Sequence, residues 1–282
     1  HGDRFELLQR SPLADLVNRN VVLVHHPLVF LEETLAMYDK ADNRKVLRQQ
    51  LPFILRLCNG RWIEGLQEIW HRELVENRGA NANVFVKEKS RHSLESRISA
   101  SVSSDASWTE YYEAAADKRG ERVKQGRVFA IHKEMREEIG RKRKEMSIGK
   151  HVKPPSAREF IEHELDRWGA EVIEKHIGRR DKQALISRWS KRKGWYPFLT
   201  LSLEGHLFAD WYALVQFNKA IDRNAHTDIE LLACLNRADA LVSADGKFLR
   251  DAHKALWKPR GKRLFTPEEF VARLDLFAGG GN

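Results

Sequence analysis

A helix that leads into a short apolar strand and an aspartate, at positions 227–248, constrains the fold of this chain more than any other feature. Thr227 and Glu230 have the spacing of a capping box, in which two side chains satisfy free backbone donors of a new helix. Ala240–Val242 is too short for a helix and is followed by Asp245 and a glycine, so we predict a buried strand. This order indicates an α/β architecture.

Three carboxylates lie within this helix and strand unit. Asp228 is in the first helical turn, Asp239 precedes the strand and Asp245 follows it. Ligands of open α/β sheets bind outside the carboxyl ends of parallel strands, where Asp245 is placed. Taken singly, the helix dipole explains Asp228 and an ordinary Asp-Gly turn explains Asp245. Together they favour a divalent metal, because neighbouring carboxylates repel one another unless a cation compensates them.

Length and composition bound the class of protein. A chain of 282 residues is long enough for one large domain or two ordinary ones. No apolar run approaches the roughly 18 residues that cross a bilayer, and the N-terminus lacks a signal-peptide pattern. Cys58 and Cys234 lie in apolar helical stretches, so we interpret both as core residues rather than ligands or a disulfide pair. We expect a soluble cytoplasmic protein that does not contact a membrane.

The positive charge of the chain is concentrated in its middle. The net charge is +9, and positions 87–195 contain 27 Lys and Arg against 18 Asp and Glu, an excess that equals the net charge. The pattern in this region is helical, and we predict no strand there. A basic module between neutral ends suits a polyanionic partner such as nucleic acid. A solvated helical surface is the alternative explanation.

Two clusters in this module are candidate nucleic-acid-binding sites. The first cluster is the run Arg141, Lys142, Arg143 and Lys144. The second cluster contains Arg188, Trp189, Lys191, Arg192 and Lys193. Cations contact phosphates and aromatic rings stack on bases, a combination that suits single-stranded nucleic acid. The alternative is a helix end whose tryptophans are buried, an interpretation that fits Trp195 better than Trp189.

The N-terminal part has an α-β-α order. We predict a helix at about positions 5–18, a buried strand at Val21–Val24, and a turn into a helix that carries Glu32 and Glu33. Another helix follows, which we expect Pro52 to break or kink.

The C-terminal part repeats the pairing of strand and helix. Arg263–Phe265 is a predicted strand. Thr266 and Glu269 form a second capping box, with Pro267 at the first helical position.

Several of these segments resemble a PIN domain. The sequences DIELLA at 228–233, ADALVSADGKF at 238–248 and TPEEF at 266–270 are similar to its C-terminal half. The sequence VVLVHHPLVFLEE at 21–33 is similar to its second strand and to the helix that bears its glutamate. The resemblance implies a three-layer α/β/α fold with a parallel sheet. Positions 1–86 and 196–282 would form the PIN-like domain, and 87–195 a basic, mostly helical insertion.

The resemblance also implies an activity and a site. PIN domains are mostly ribonucleases whose carboxylates bind magnesium or manganese (Mg²⁺ or Mn²⁺) to hydrolyse phosphodiester bonds. The implied catalytic residues are Glu32 or Glu33, Asp228 and Asp245. The implied metal ligands are Glu32, Asp228, Asp239 and Asp245, with Ser243 beside them. We therefore expect a metal-dependent endoribonuclease with RNA as its partner.

One departure from the family pattern leaves other functions open. PIN domains begin with a strand that ends in an aspartate, but no apolar run precedes Asp3. We expect that strand, and one further ligand, to lie before His1. A second hypothesis is a nucleic-acid-binding protein that keeps the fold without activity. A third is a toxin-antitoxin component whose helical middle docks a protein partner, and self-association is a further possibility.

Overall fold

Helices make up most of the described part of the protein. The computed structural model describes residues 2–29, 31, 41–104, 106, 109, 140–142, 144, 145, 154–176, 181–215, 225–244 and 246–278. The helices are α1 (Gly2–Arg10), α2 (Leu13–Asn18), α3 (Ala41–Cys58), α4 (Leu66–Trp70), α5 (Glu88–Ser103), α6 (Ala157–His176), α7 (Lys182–Lys191), α8 (Pro197–Val215), α9 (Ala225–Cys234), α10 (Lys247–Ala252) and α11 (Pro267–Ala278). None of these helices is long and apolar enough to cross a membrane.

Short turns of 3-10 or π-helix extend several of these helices. A π-helical turn follows α4 at His71–Val75, and another follows α10 at His253–Trp257. The 3-10 turns are Gly79–Asn81, Lys193–Trp195, Leu235–Arg237 and Lys258–Arg260.

The predicted three-layer α/β/α sheet is wrong. The described residues contain four short strands, β1 (His26–Pro27), β2 (Trp62–Ile63), β3 (Ala240–Val242) and β4 (Arg263–Phe265). They form two separate parallel pairs, with His26 beside Trp62 in the first and Leu241 beside Leu264 in the second. Pairs of strands this short need packing against other elements for stability. Leu241 and Leu264 of the second pair pack against the main hydrophobic core, and Trp62 of the first pair belongs to a second core cluster.

The predicted strand at Val21–Val24 is also wrong, because the backbone there closes a helix. Asn20 has φ +58°, the left-handed conformation that commonly ends a helix. The amide of Val21 then donates to the carbonyl of Leu16 at 2.9 Å, which satisfies the end of α2. As a result Val21 is 50% exposed and Leu23 is 54% exposed, and β1 begins later.

Other local predictions are confirmed or corrected by the helix ends. The amide of Thr266 donates to the Glu269 carboxylate at 2.8 Å, and the amide of Glu269 donates to the Thr266 hydroxyl at 3.1 Å. This is the predicted capping box, and α11 begins at Pro267 as predicted. By contrast α9 already includes Ala225, so Thr227 lies inside that helix and is not its cap. The strands β3 and β4 lie where they were predicted.

Pro52 does not end the helix that contains it. The helix α3 runs continuously from Ala41 to Cys58, with Pro52 inside it. Both cysteines are free and buried, as predicted. Burial raises the pKa of Cys58 to about 12, so its thiol stays protonated at neutral pH.

Helix α8 is central to the main hydrophobic core, where it packs against α6, α9 and α4. Trp189 of α7 is fully buried, and its indole lies against Gly169 of α6. A Cβ added at Gly169 would come within 2.1 Å of the ring, so only glycine allows this approach.

The core includes Leu165 and Leu203, from either side of position 196. The division into 1–86 with 196–282 and 87–195 stays a prediction.

A buried carboxylate fixes the N-terminus of α8. Glu73, in the π-helical turn after α4, accepts hydrogen bonds from the backbone amides of Phe198 and Leu199 at 3.0 and 2.9 Å. These amides belong to the first turn of α8, where backbone donors have no partner within the helix. Glu73 is only 1% exposed. Burial raises its pKa to about 7, although the two amides and Arg237 act in the opposite direction.

This pKa predicts how stability depends on pH. A carboxyl group whose pKa is raised by folding stabilises the protein most below its ordinary value of 4.5. That contribution is lost as the pH rises through about 7. Between about pH 5 and about pH 8, we expect the free energy of unfolding of the wild type to fall about 1 to 3 kcal/mol more than that of Glu73→Gln. Urea titrations at each pH measure this difference.

The matched control for this prediction is Glu174→Gln, the same change at an exposed glutamate. Its pH profile should follow that of the wild type. Parallel profiles for the wild type and Glu73→Gln would contradict the role given to this carboxylate.

Candidate functional site

The predicted metal-binding carboxylates do not form a cluster within the described residues. Asp228 is buried in the first turn of α9. Asp239 is exposed and precedes β3, whereas Ser243 follows β3 and its amide donates to the carbonyl of Phe265 at 2.9 Å. The other predicted residues, Glu32, Glu33 and Asp245, lie outside the described residues.

The length of β3 separates Asp239 from the end at which a ligand is expected. A strand of three residues spans roughly 10 Å, and ligands bind at the carboxyl ends of parallel strands. Ser243 lies at that end and Asp239 lies at the other. In the part of the chain that the structure covers, no three His, Cys, Asp or Glu side chains are arranged to hold a metal ion. The described donors therefore do not fit magnesium or manganese, and the predicted metal site depends on residues outside them.

The first predicted basic cluster lies on a short helical stretch. Arg141 and Lys144 are exposed and Lys142 is partly buried, while Arg143 lies outside the described residues. This exposure agrees equally with a phosphate-binding face and with a solvated helical surface. The cluster stays a predicted site.

The second predicted basic cluster is divided between structural and exposed side chains. Arg188 donates to a backbone carbonyl at 3.3 Å, and Lys193 forms an ion pair with Asp166 at 2.7 Å. Lys191 and Arg192 are exposed. Only part of this cluster therefore presents a cation to solvent.

The structure reverses the expected burial of Trp189 and of Trp195, which follows this cluster in the chain. Trp189 is fully buried, and its indole nitrogen donates to Oγ1 of Thr200 at 3.1 Å. It cannot stack on a base, so its assignment as a nucleic-acid-binding residue is corrected. Trp195 is 42% exposed. The cause is helical spacing, because Trp189 follows the buried Leu185 by one turn whereas Trp195 lies beyond the end of α7.

A basic cleft that the sequence did not lead us to predict lies along β4. Its volume is about 440 Å³, and it is lined by the helical segment at 247–260, by β4 and by α11. Six cationic side chains line this basic cleft: Arg250, Lys254, Lys258, Lys262, Arg263 and Arg273. Glu269 supplies a carboxylate, and Ser243 lies among the lining residues.

Helical periodicity builds one wall of the basic cleft. Arg250, Lys254 and Lys258 are four positions apart, so they lie along one face of the segment at 247–260. Leu249 and Trp257 on the same segment are buried in the main core. The buried face fixes the position of the segment, and the cationic face lines the cleft.

The cations of the basic cleft are not neutralised by the described carboxylates. None of the six forms an ion pair with a carboxylate in the described ranges. The Glu269 carboxylate accepts from the amide of Thr266 in the capping box. Lys262 donates to a backbone carbonyl at 2.9 Å, and the Arg273 guanidinium lies 4.8 Å from the centre of the Phe265 ring. Both contacts orient a cation without removing its charge.

The histidine of the basic cleft adds no positive charge at neutral pH. Burial lowers the pKa of His253, and the nearby Lys258 lowers it further. Its Nε2 lies 3.1 Å from the carbonyl of Lys262. Lysine and arginine side chains therefore supply the positive charge of the basic cleft.

A local charge count would have found the basic cleft. Positions 247–273 contain eight Lys and Arg against three Asp and Glu. This excess is hidden when all residues outside 87–195 are averaged, because acidic segments elsewhere balance it. The spacing of Arg250, Lys254 and Lys258 is a second signal, since it places three cations on one helical face.

Comparison with protein-family models gives no match to this chain, and neither a curated protein nor a solved structure matches it. The resemblance to a PIN domain therefore stays a prediction.

Proposed function

We propose that this protein binds the phosphate backbone of nucleic acid in the basic cleft. The main support is a set of six Lys and Arg side chains around one cleft, none of them ion-paired with a described carboxylate. Clustered cations of this kind produce a positive potential that attracts phosphates, and binding releases condensed counterions. RNA is the partner that the resemblance to PIN domains implies, and we adopt it in this proposal.

The length of the cationic row favours a chain of phosphates over a single phosphate group. Arg250 and Lys258 are eight positions apart, about two helical turns or on the order of 10 Å along the segment. One phosphate cannot contact both ends of such a row, whereas successive phosphates of a strand can. Arg263 and Arg273 line the cleft from β4 and α11. A polyanion that lies along the cleft would therefore contact cations from several elements.

Neutralising one wall of the basic cleft should weaken RNA binding and its dependence on salt. For a single strand, the slope of log K against log salt concentration is about −0.7 for each neutralised phosphate. We expect the triple variant Arg250→Gln, Lys254→Gln and Lys258→Gln to reduce the magnitude of this slope by about 2. Fluorescence anisotropy with labelled single-stranded RNA over a series of salt concentrations measures both effects.

A second triple variant controls for net charge. Arg10, Arg19 and Arg158 each pair with a carboxylate four positions away, at 3.1, 3.6 and 2.8 Å. Changing these three to Gln lowers the net charge equally and should leave the slope unchanged. Equal effects of the two triple variants would show that overall charge, and not the basic cleft, determines binding.

Hydrolysis of the bound phosphodiester backbone is a second function that we propose. The observation that favours it is the position of Ser243, which lines the basic cleft just after β3. The predicted strand-end carboxylate, Asp245, follows Ser243 by two positions in the sequence. A cleft-lining residue is therefore only two positions from a predicted acid in the sequence. This proposal keeps Asp228 and Asp245, with Glu32 or Glu33, as the acids.

Substitution of the proposed acids should abolish cleavage. We expect labelled single-stranded RNA incubated with Mn²⁺ to be cut by the wild type, and about 100-fold or more slowly by Asp228→Asn or Asp245→Asn. The control is Asp239→Asn, which removes an exposed carboxylate at the opposite end of β3 and should retain activity. Intact RNA with the wild type, or cleavage that neither substitution slows, would reject hydrolysis while leaving the binding proposal in place.

The cellular location forms part of the same proposal. We propose a cytoplasmic protein, since a reducing compartment suits two buried cysteines that form no disulfide. The toxin-antitoxin hypothesis and docking of a protein partner on the helical middle stay predictions, because no contact within the described residues favours them.

A further inference from the structure

Trp195 differs from the other described tryptophans in its exposure. Four of them are buried in the hydrophobic core: Trp62, Trp70, Trp189 and Trp257. Trp195 instead lies at the end of the 3-10 turn Lys193–Trp195 and is 42% exposed. The exposed part of this ring is accessible to a ligand.

Packing on a glycine fixes the position of this ring. Gly79 has φ +52°, and a Cβ added there would lie 1.9 Å from Nε1 of Trp195. The pyrrole edge of the indole therefore rests directly on the backbone at Gly79. Arg237 secures that backbone by donating to the carbonyls of Ala80 and Ala82 at 2.6 and 3.1 Å. One edge of the ring is held rigidly, and the exposed part is oriented before any ligand binds.

A hydrogen bond and a backbone contact fix the segment that carries the ring. The hydroxyl of Tyr196 donates to Oδ1 of Asn77 at 3.2 Å. The amide of Trp195 donates to the carbonyl of Arg192 at 2.8 Å. The turn around Trp195 is thus attached to the turn around Gly79 beside the ring itself.

Three exposed cations lie close to Trp195 or to Gly79 in the sequence. Arg78 precedes Gly79, and Lys191 and Arg192 precede Trp195 in the chain. All three are exposed, and none forms an ion pair with a carboxylate in the described ranges. The acidic neighbour Asp166 is already paired with Lys193 at 2.7 Å. We refer to Trp195 with Arg78 and Arg192 as the tryptophan platform.

We propose that the tryptophan platform binds an unpaired base of single-stranded nucleic acid. Trp195 stacks on the base, and Arg78 and Arg192 contact the phosphates beside it. This inference rests on the proposed nucleic-acid binding and adds a second contact surface that selects single strands. Bases in a duplex are already stacked on one another, so they offer no free face to a surface ring. Charge complementarity identifies the occupant, because a purely apolar partner would leave the surrounding cations desolvated.

Two oligomers separate stacking from phosphate contact. One is a short labelled oligouridylate, and the other has the same length and backbone but lacks bases. We expect Trp195→Leu to weaken binding of the oligouridylate by about 5- to 150-fold, the range for one stacked base. Binding of the abasic oligomer should stay unchanged, since it offers no ring. The matched variant Trp195→Phe keeps a smaller aromatic face and should retain most of the affinity for oligouridylate.

Each outcome of this experiment decides the proposal. A purely structural role of Trp195 would act on both oligomers alike, so it predicts that each variant weakens binding of the oligouridylate and of the abasic oligomer equally. Equal effects, or no loss with Trp195→Leu, would overturn the platform. In another outcome, the wild type binds both oligomers equally while the triple variant Arg250→Gln, Lys254→Gln and Lys258→Gln weakens binding of both. That result would reject stacking on Trp195 and would support nucleic-acid binding in the basic cleft. If the wild type binds neither oligomer, both proposals fail.

Discussion

The hydrogen bonds from the N-terminus of α8 to Glu73 are the interaction on which the rest of the fold depends. The carboxylate accepts from two consecutive backbone amides in a buried site, and it joins a turn near position 73 to a helix more than 120 positions later. Helix α8 in turn packs against α6, α9 and α4. The residues just before α8 include Trp195, so the same contact sets the position of the tryptophan platform. A buried carboxylate without these donors would cost several kcal/mol, which makes the pairing specific.

Local sequence chemistry predicted those elements whose partners lie nearby. The capping box of Thr266 and Glu269 and the strand Ala240–Val242 are set by residues within a few positions, and both were predicted correctly. The predicted strand at Val21–Val24 is wrong because the amides of Val21 and Val22 donate to a carbonyl at the end of the preceding helix. The predicted layered sheet failed because it required long-range pairing. Which short strands pair, and which helices cover them, depends on contacts such as those of Glu73 that no local pattern reveals.

The same distinction holds for the candidate site. The sequence indicated a nucleic-acid partner from net charge, but it located the cations in the middle of the chain. The structure brings Arg250, Lys254 and Lys258 together with Arg263 and Arg273 from neighbouring elements. Trp189 and Trp195, six positions apart in a basic segment, could not be distinguished by composition, since only packing decides which ring is buried. For both surfaces, the sequence contains the charged and aromatic residues that could be recognised. Which of them lie together, and which are buried, depends on tertiary packing.

Photo-crosslinking tests most directly whether nucleic acid lies in the basic cleft. RNA with photoreactive uridines is irradiated with the full chain, and the attached peptides are identified by mass spectrometry. The account predicts crosslinks to peptides from positions 247–273, and their yield should fall when unlabelled RNA competes and, separately, when the salt concentration is raised. Crosslinks confined to other parts of the chain, with none at 247–273, would contradict the central claim.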